Sequence, residues 1–140
     1  MLRAKKIMGN PDLALVTIHV AGTNGKGSVC HMLADTLTRS GYKTGLYTSP
    51  HLESVCERIR VDGVPIAPEA LLSIIDLIDI SLAGKNIDLT WFDMMTLAAL
   101  LHFSNSWVDA AVIETGLGGR LDSTNIITPA AAVITDISLD

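Results

Sequence analysis

Aromatic side chains are scarce in this sequence: two Trp, two Tyr and two Phe among 140 residues. A core built without them must be aliphatic, as the interior of a parallel sheet is. Cysteine is scarcer. Cys30 and Cys56 are the two present, without metal-type spacing, which excludes a disulfide framework and fits a reducing compartment. No apolar run reaches the ~18 residues of a membrane span. There is no long basic run, and the net charge of −5 argues against nucleic acid as the main partner. The opening MLRAKKIMGNPD is too short and too polar for a signal peptide. Internal repeats and low-complexity tracts are missing as well. These absences predict a cytoplasmic protein whose partners are neither membranes nor nucleic acids.

What is present is apolar and finely divided. Hydrophobic residues make up 49% of the chain and charged residues 18%, with a mean hydropathy of +0.40. A chain of this length fits one domain and buries roughly 68–70% of its unfolded surface. So rich a composition predicts that some apolar surface meets a further domain.

Strand-like runs alternate with helical patterns. Residues 15–21 (LVTIHVA) are short and β-branched and end at Gly22. Residues 26–40 suit a helix closed by Gly41. A second strand is expected at 43–48, broken by Ser49-Pro50. Residues 57–63 (ERIRVDG) alternate charged and apolar and predict an exposed strand running into a turn at Asp62-Gly63. A helix over 68–84 places Glu69, Ser73, Asp76 and Asp79 on one face and leucines and isoleucines on the other. Another helix, over 90–106, opens with Thr90 and Asp93 spaced as a capping box. Buried strands are expected at 109–114 and 130–135. The order predicts an α/β fold with a mainly parallel sheet flanked by helices. Ligands in such sheets sit beyond the carboxyl ends of the strands. Gly22, Ser49 and Glu114 close three of the strands and are expected to converge on one rim.

The segment HVAGTNGKGSVC joins the first strand to the first major helix. Glycines there let main-chain N–H groups turn inward towards an anion, and the helix dipole adds partial positive charge. Lys26 supplies a full charge and Ser28 a hydroxyl. The strict P-loop pattern fails, because Val20 stands where its first glycine belongs and Gly27 follows Lys26. Spacing alone therefore leaves open a glycine-rich turn with a solvated lysine. The stretch TGLGGRLD has Leu121 where a dinucleotide fingerprint needs its third glycine. Glu114, an acid closing an apolar strand, is placed like a magnesium carboxylate, though such a residue is also found merely solvated. His51 is either a ligand or base, or a structural side chain. His19 is expected to satisfy a core hydrogen bond, and the two cysteines to be buried fillers.

Taken together, HVAGTNGKGSV, GLYTSPHL, ERIRVDG, TWFDMMT, VIETGLGGRLDSTN and VITDISLD resemble, in order and spacing, the folylpolyglutamate synthase and dihydrofolate synthase family of the Mur-ligase group. The resemblance runs from about Met8 to Asp140. It implies a P-loop NTPase-like Mur-ligase central domain, truncated: residues 1–140 would be its N-terminal portion, with the C-terminal domain outside this chain. The implied reaction is ATP-dependent. A carboxylate of a pteroate or folate is phosphorylated, and the amine of L-glutamate attacks the acyl phosphate. Gly22, Thr23, Asn24, Gly25, Lys26, Gly27 and Ser28 would form the ATP loop. Lys26 and Glu114 would be the catalytic pair. Ser28, Ser49 and Glu114 would hold magnesium. Ser49, Pro50, His51 and Leu52 would lie at the folate site, and the glycines from Gly116 to Gly119, with Arg120 and Asp122, would line the same rim without individual roles. The parent is expected to be a monomer, with a histidine and a modified lysine of its metal sites beyond Asp140, and this chain alone is expected to be inactive. Another P-loop ligase or a small-molecule kinase, or a nucleotide-binding fragment without activity, are the alternatives.

Overall fold

The computed structural model describes residues 1–138. Leu139 and Asp140, the end of the VITDISLD match, lie outside the described residues. The helices are α1 (Leu2–Ile7), α2 (Lys26–Arg39), α3 (Pro68–Leu82) and α4 (Trp91–Asn105). The strands are β1 (Val16–Ala21), β2 (Thr44–Tyr47), β3 (Ile59–Val61), β4 (Val64–Pro65), β5 (Ala110–Glu114) and β6 (Ala131–Ile134). Single 3₁₀ turns occupy Pro11–Ala14, Val55–Arg58 and Ser123–Ile126.

The strands form one sheet in the order β4-β3-β2-β5-β1-β6. Strands β2, β5, β1 and β6 run parallel, and the β3–β4 hairpin adds antiparallel at the β2 edge. Side chains alternate between the two faces of a strand. Accordingly Val112 of β5 packs with Cys30 and Ala34 under α2. Its neighbours Ala111 and Ile113 join the larger core beneath α3 and α4. Helix α4 is buried from Met95 to Leu101 and lies between α3 and the sheet. Its approach to β2 depends on Gly45, where a Cβ would come within 2.8 Å of the Phe103 ring.

The alternating α/β order and the mainly parallel sheet are as the sequence predicts. Three expectations about burial are not met in full. Residues 57–63 are not one exposed strand. A capping box, in which Ser54 and Glu57 exchange bonds, turns Val55–Arg58 into a 3₁₀ segment and leaves a strand of three residues. Arg58 and Ile59 are buried, because this strand pairs with β2 and covers the core. Strand β6, expected to be buried, is largely exposed, because among the described residues it is the sheet edge and pairs with β1 alone. The apolar face of 68–84 is also less clean than expected: Leu71, Ile74, Ile78 and Leu82 are buried, but Leu72, Leu77 and Ile80 are exposed.

The start of the chain also has structure. Lys5, in α1, donates through Nζ to Asp12 Oδ2 at 2.8 Å and to the carbonyl of Ile126 at 2.7 Å. That pair of bonds ties the N-terminal segment to the loop that follows β5.

Candidate active site

The carboxyl ends of β1, β2 and β5 meet on one rim, as expected. Glu114 is level with Val20 in the β1–β5 register, and the N–H of Thr115 donates to the Val20 carbonyl at 2.9 Å. The carboxyl end of β5 therefore stands beside the root of the 22–28 loop. The N–H of Ser49 donates to Glu114 Oε2 at 2.9 Å. The other carboxylate oxygen faces the first turn of α2, where a Cβ on Gly27 would lie 3.6 Å from Oε1. Glu114 is only 4% exposed. Burial pushes its carboxyl above the ordinary range, against the pull of the Ser49 N–H, Lys26 and Arg58. A buried acid of this kind, which takes the Ser49 N–H on Oε2 and turns Oε1 towards the first turn of α2, fits a hard cation. The nearby hydroxyls of Ser49 and exposed Ser28 are also oxygen donors. Among the described residues no three His, Cys, Asp or Glu side chains cluster as ligands. A cation here would accordingly share this small protein set with phosphate oxygens and water.

The loop itself is shaped as an anion cradle. Gly25, at φ +80°, precedes α2, and among the described residues no side chain caps the helix, so its first-turn N–H groups are open to an anion. Gly22, at φ +138°, is packed against the segment after β6: a Cβ there would come within 2.1 Å of Thr135 Oγ1. The same segment fastens the loop. Thr23 N donates to the Asp136 carbonyl at 2.6 Å, and Thr135 Oγ1 donates to the Asn24 carbonyl at 2.7 Å. Lys26 Nζ donates to the carbonyls of Gly22 (2.8 Å) and Thr23 (3.2 Å). The ammonium is thus held over the loop by acceptors that a phosphate oxygen can replace.

Two clefts open on either side of Lys26. One, of about 480 Å³, is lined by the 22–23 loop, the glycines of the 116–119 loop and two isoleucines, Ile134 and Ile137. The other, of about 490 Å³, is lined by Ser49, Pro50, Arg58, Phe92 and Asp122. Lys26, Gly116 and Leu117 line both. Gly116 lets the dividing wall come close, because a Cβ there would meet the Phe92 ring at 2.6 Å.

Of the residues singled out in the sequence, Lys26, Ser49, Pro50 and Glu114 are brought together, with the 22–28 loop around them. His51 and Leu52 are not part of either lining. His51 Nδ1 accepts from Arg58 Nε at 2.8 Å, and Leu52 is 93% exposed, its N–H donating to Glu57 Oε2. His19 makes the hydrogen bond expected of it, to Thr124 Oγ1 at 2.7 Å. Asp93 forms the predicted capping box with Thr90 and also accepts from Ser123 Oγ at 2.6 Å, anchoring the loop after β5. Three cleft residues had no assigned role in the sequence: Arg58, Phe92 and Asp122. Arg58 lies within ERIRVDG, whose alternation reads as a solvated face. In the fold its guanidinium stacks 4.7 Å from the centre of the Trp91 ring. The S-x-x-E spacing of Ser54 and Glu57 is the signal that would have started the strand only after Arg58, at Ile59.

Residues 20–140 match the model of the Mur ligase middle domain. A dihydrofolate synthase/folylpolyglutamate synthase of Escherichia coli (strain K12) is 46% identical over 121 residues, covering 86% of this chain and 28% of that protein. One from Mycobacterium tuberculosis is 42% identical over 145 residues, covering 96% of this chain and 30% of the relative. Among solved structures, E. coli FolC in complex with ADP superposes with a TM-score of 0.94 at 40% identity, over 99% of this chain and 33% of that one. The Yersinia pestis bifunctional folylpolyglutamate synthase/dihydrofolate synthase complexed with AMPPNP and Mn ion superposes with a TM-score of 0.94 at 36% identity, over 99% and 33%. The chain spans about a third of the length of these relatives.

Proposed function

This chain belongs to the Mur ligase middle-domain family, and on that premise we propose that it is the nucleotide-binding part of an ATP-dependent amide ligase. The ligase joins L-glutamate to a carboxylate of dihydropteroate or a folate and releases ADP and phosphate. The observation that carries this reading is the position of Lys26, on the wall between two clefts of similar size. A phosphoryl group and a carboxylate held one in each cleft would meet at its ammonium.

The reaction calls for such a meeting point. A carboxylate is a poor acyl donor, and phosphorylation turns its oxygen into a leaving group. Two anions must first be brought into contact, which requires positive charge and fixed dipoles. The N–H groups of the first turn of α2 bind the β and γ phosphates. Lys26 leaves the Gly22 and Thr23 carbonyls for the γ-phosphate and steadies it while the carboxylate oxygen bonds to phosphorus and the bond to ADP breaks. Magnesium, when bound by Glu114, Ser49 and Ser28, neutralises phosphate charge. The amine of glutamate then adds to the acyl carbonyl, loses a proton, and phosphate departs. Ser49 and Pro50 border the acceptor cleft, with His51 and Leu52 in the loop beyond. The partners are accordingly small molecules, in a cytoplasmic and monomeric parent, and the 140-residue chain by itself does not complete the cycle.

The test is ADP release by the full-length protein. Release that requires both dihydropteroate (or a folate) and glutamate supports this reading. Release with a UDP-sugar peptide or a hydroxyl acceptor instead replaces it with another ligase or a kinase. Calorimetric titration with Mg-ATP should show at least a tenfold loss of affinity on Lys26→Ala, and equal binding by both proteins removes Lys26 from its role.

A further inference from the structure

We propose that His19 is a positioning residue for the acceptor cleft, acting through Thr124 on the Asp122 carboxylate that lines it. The inference rests on the reading of that cleft as the site of the carboxylate substrate. His19 lies in the middle of β1, on the face towards the loop that follows β5. Its Nε2 is 2.7 Å from Thr124 Oγ1. Thr124 is completely buried. Its hydroxyl donates to Asp122 Oδ1, which also accepts from the Thr124 N–H at 2.9 Å. The second oxygen, Oδ2, accepts from the N–H of Leu117 at 2.8 Å.

The direction of this chain follows from counting protons. A threonine hydroxyl has one hydrogen, and here it points to Asp122. The bond to His19 must then be donated by the imidazole, so the proton sits on Nε2. The result is a one-way relay: ring N–H to hydroxyl, hydroxyl to carboxylate. Each bond polarises the next, and the burial of Thr124 makes an unpaired end costly. The far end of the relay is in the site. Asp122 faces the cleft lined by Ser49, Pro50 and Arg58, and through the Leu117 N–H it holds the wall that both clefts share. A Cβ on Gly116 would lie only 3.1 Å from Asp122 Oδ2, so the wall and the carboxylate are packed as one unit. A side chain within a strand, away from either cleft lining, thereby sets where an acid of the acceptor cleft points.

Steady-state kinetics on the full-length protein test this, with dihydropteroate, glutamate and Mg-ATP as substrates. His19→Leu should raise KM for dihydropteroate about tenfold, the cost of a lost buried hydrogen bond, with a smaller rise, no more than about threefold, in KM for ATP, whose cleft Asp122 reaches only through the Leu117 N–H. His19→Gln places an amide nitrogen near the position of Nε2 and should restore KM to within threefold. His19→Asn, whose amide stops short, should not. Unchanged KM values in His19→Leu, or equal rises for both substrates, overturn the proposal. A second measurement does not depend on activity or on a variant's folding. Two-bond ¹H–¹⁵N spectra of ¹⁵N-histidine-labelled protein should show His19 protonated on Nε2, and a proton on Nδ1 alone overturns the relay. If the wild-type protein makes no ADP with these substrates, the functional reading fails, and the spectrum still decides the relay.

Discussion

Gly27 separates what the fold requires from what the phosphate loop requires. A methyl there meets Glu114 at ordinary contact distance, 3.6 Å, so the fold can accept it. Alanine is also the better helix residue, by about 0.5–1 kcal/mol. Gly27→Ala should therefore leave thermal stability equal or slightly higher while lowering Mg-ATP affinity at least tenfold, because the methyl stands between the carboxylate and the cradle. Calorimetry and a melting curve on the same sample separate the two effects. Cys30 gives a second prediction at this scale. Burial, with the Glu114 charge adding to it and Lys26 opposing, pushes its thiol up to about 12. Both cysteines are buried, and iodoacetamide at pH 8 should label neither in the native protein and both after unfolding.

Among the elements, the turn from Ser54 to Arg58 matters most to the site, because it fixes the loop that carries Ser49 and Pro50. Glu57 holds it. Its carboxylate accepts from the N–H groups of Ser54, Glu53 and Leu52, at 2.7, 3.0 and 3.1 Å. These bonds, that to Ser54 first, lower its pKa from 4.5 to about 2. A carboxyl whose pKa falls on folding stabilises the fold above its unfolded pKa and loses that contribution as pH falls through the folded one. The loop should therefore loosen between pH 4.5 and about 2. Glu57→Gln should reproduce the loosening at neutral pH, read as faster hydrogen exchange at the amides of 52–54 than in the wild type. Elements of the central sheet were legible in the sequence to within a residue or two, because short β-branched runs ending in glycine, serine or an acid can be little else. Ser49 and Glu114 were legible for the same reason: residues at or just past a strand's carboxyl end lie on the rim. The 3₁₀ turn was not, since its alternating charges imitate a strand. The burial of Arg58 was not legible either, because it depends on Trp91, far along the chain. Asp122 was legible as a rim residue but not by its role, because Thr124 and His19 are brought to it only by the fold. Helix α1 escaped notice because its six residues are held by tertiary bonds rather than by helical periodicity.

For the whole molecule, the two edges of the sheet differ. The β4 edge ends in a two-residue strand with a proline, which discourages further pairing. The β6 edge offers four apolar residues, among them Ile134 at 64% exposure, with Ile137 at 76% just beyond. An unprotected apolar edge is a template for another chain. The 140-residue chain expressed alone should self-associate with rising concentration, and Ala132→Lys should suppress this, as measured by light scattering. Equal scattering from both proteins would place the sticky surface elsewhere.

Because Lys26, Gly116 and Leu117 border both clefts, ligands seated in the two would meet at shared residues. A molecule carrying a nucleotide diphosphate at one end and an acidic aryl amide at the other could pass Lys26 with a short tether. Its second half would then bind at the high effective concentration that the tether sets rather than from bulk solution. Such a two-headed inhibitor should exceed either fragment by orders of magnitude, and a tether much longer than the gap between the fragments should erode the gain.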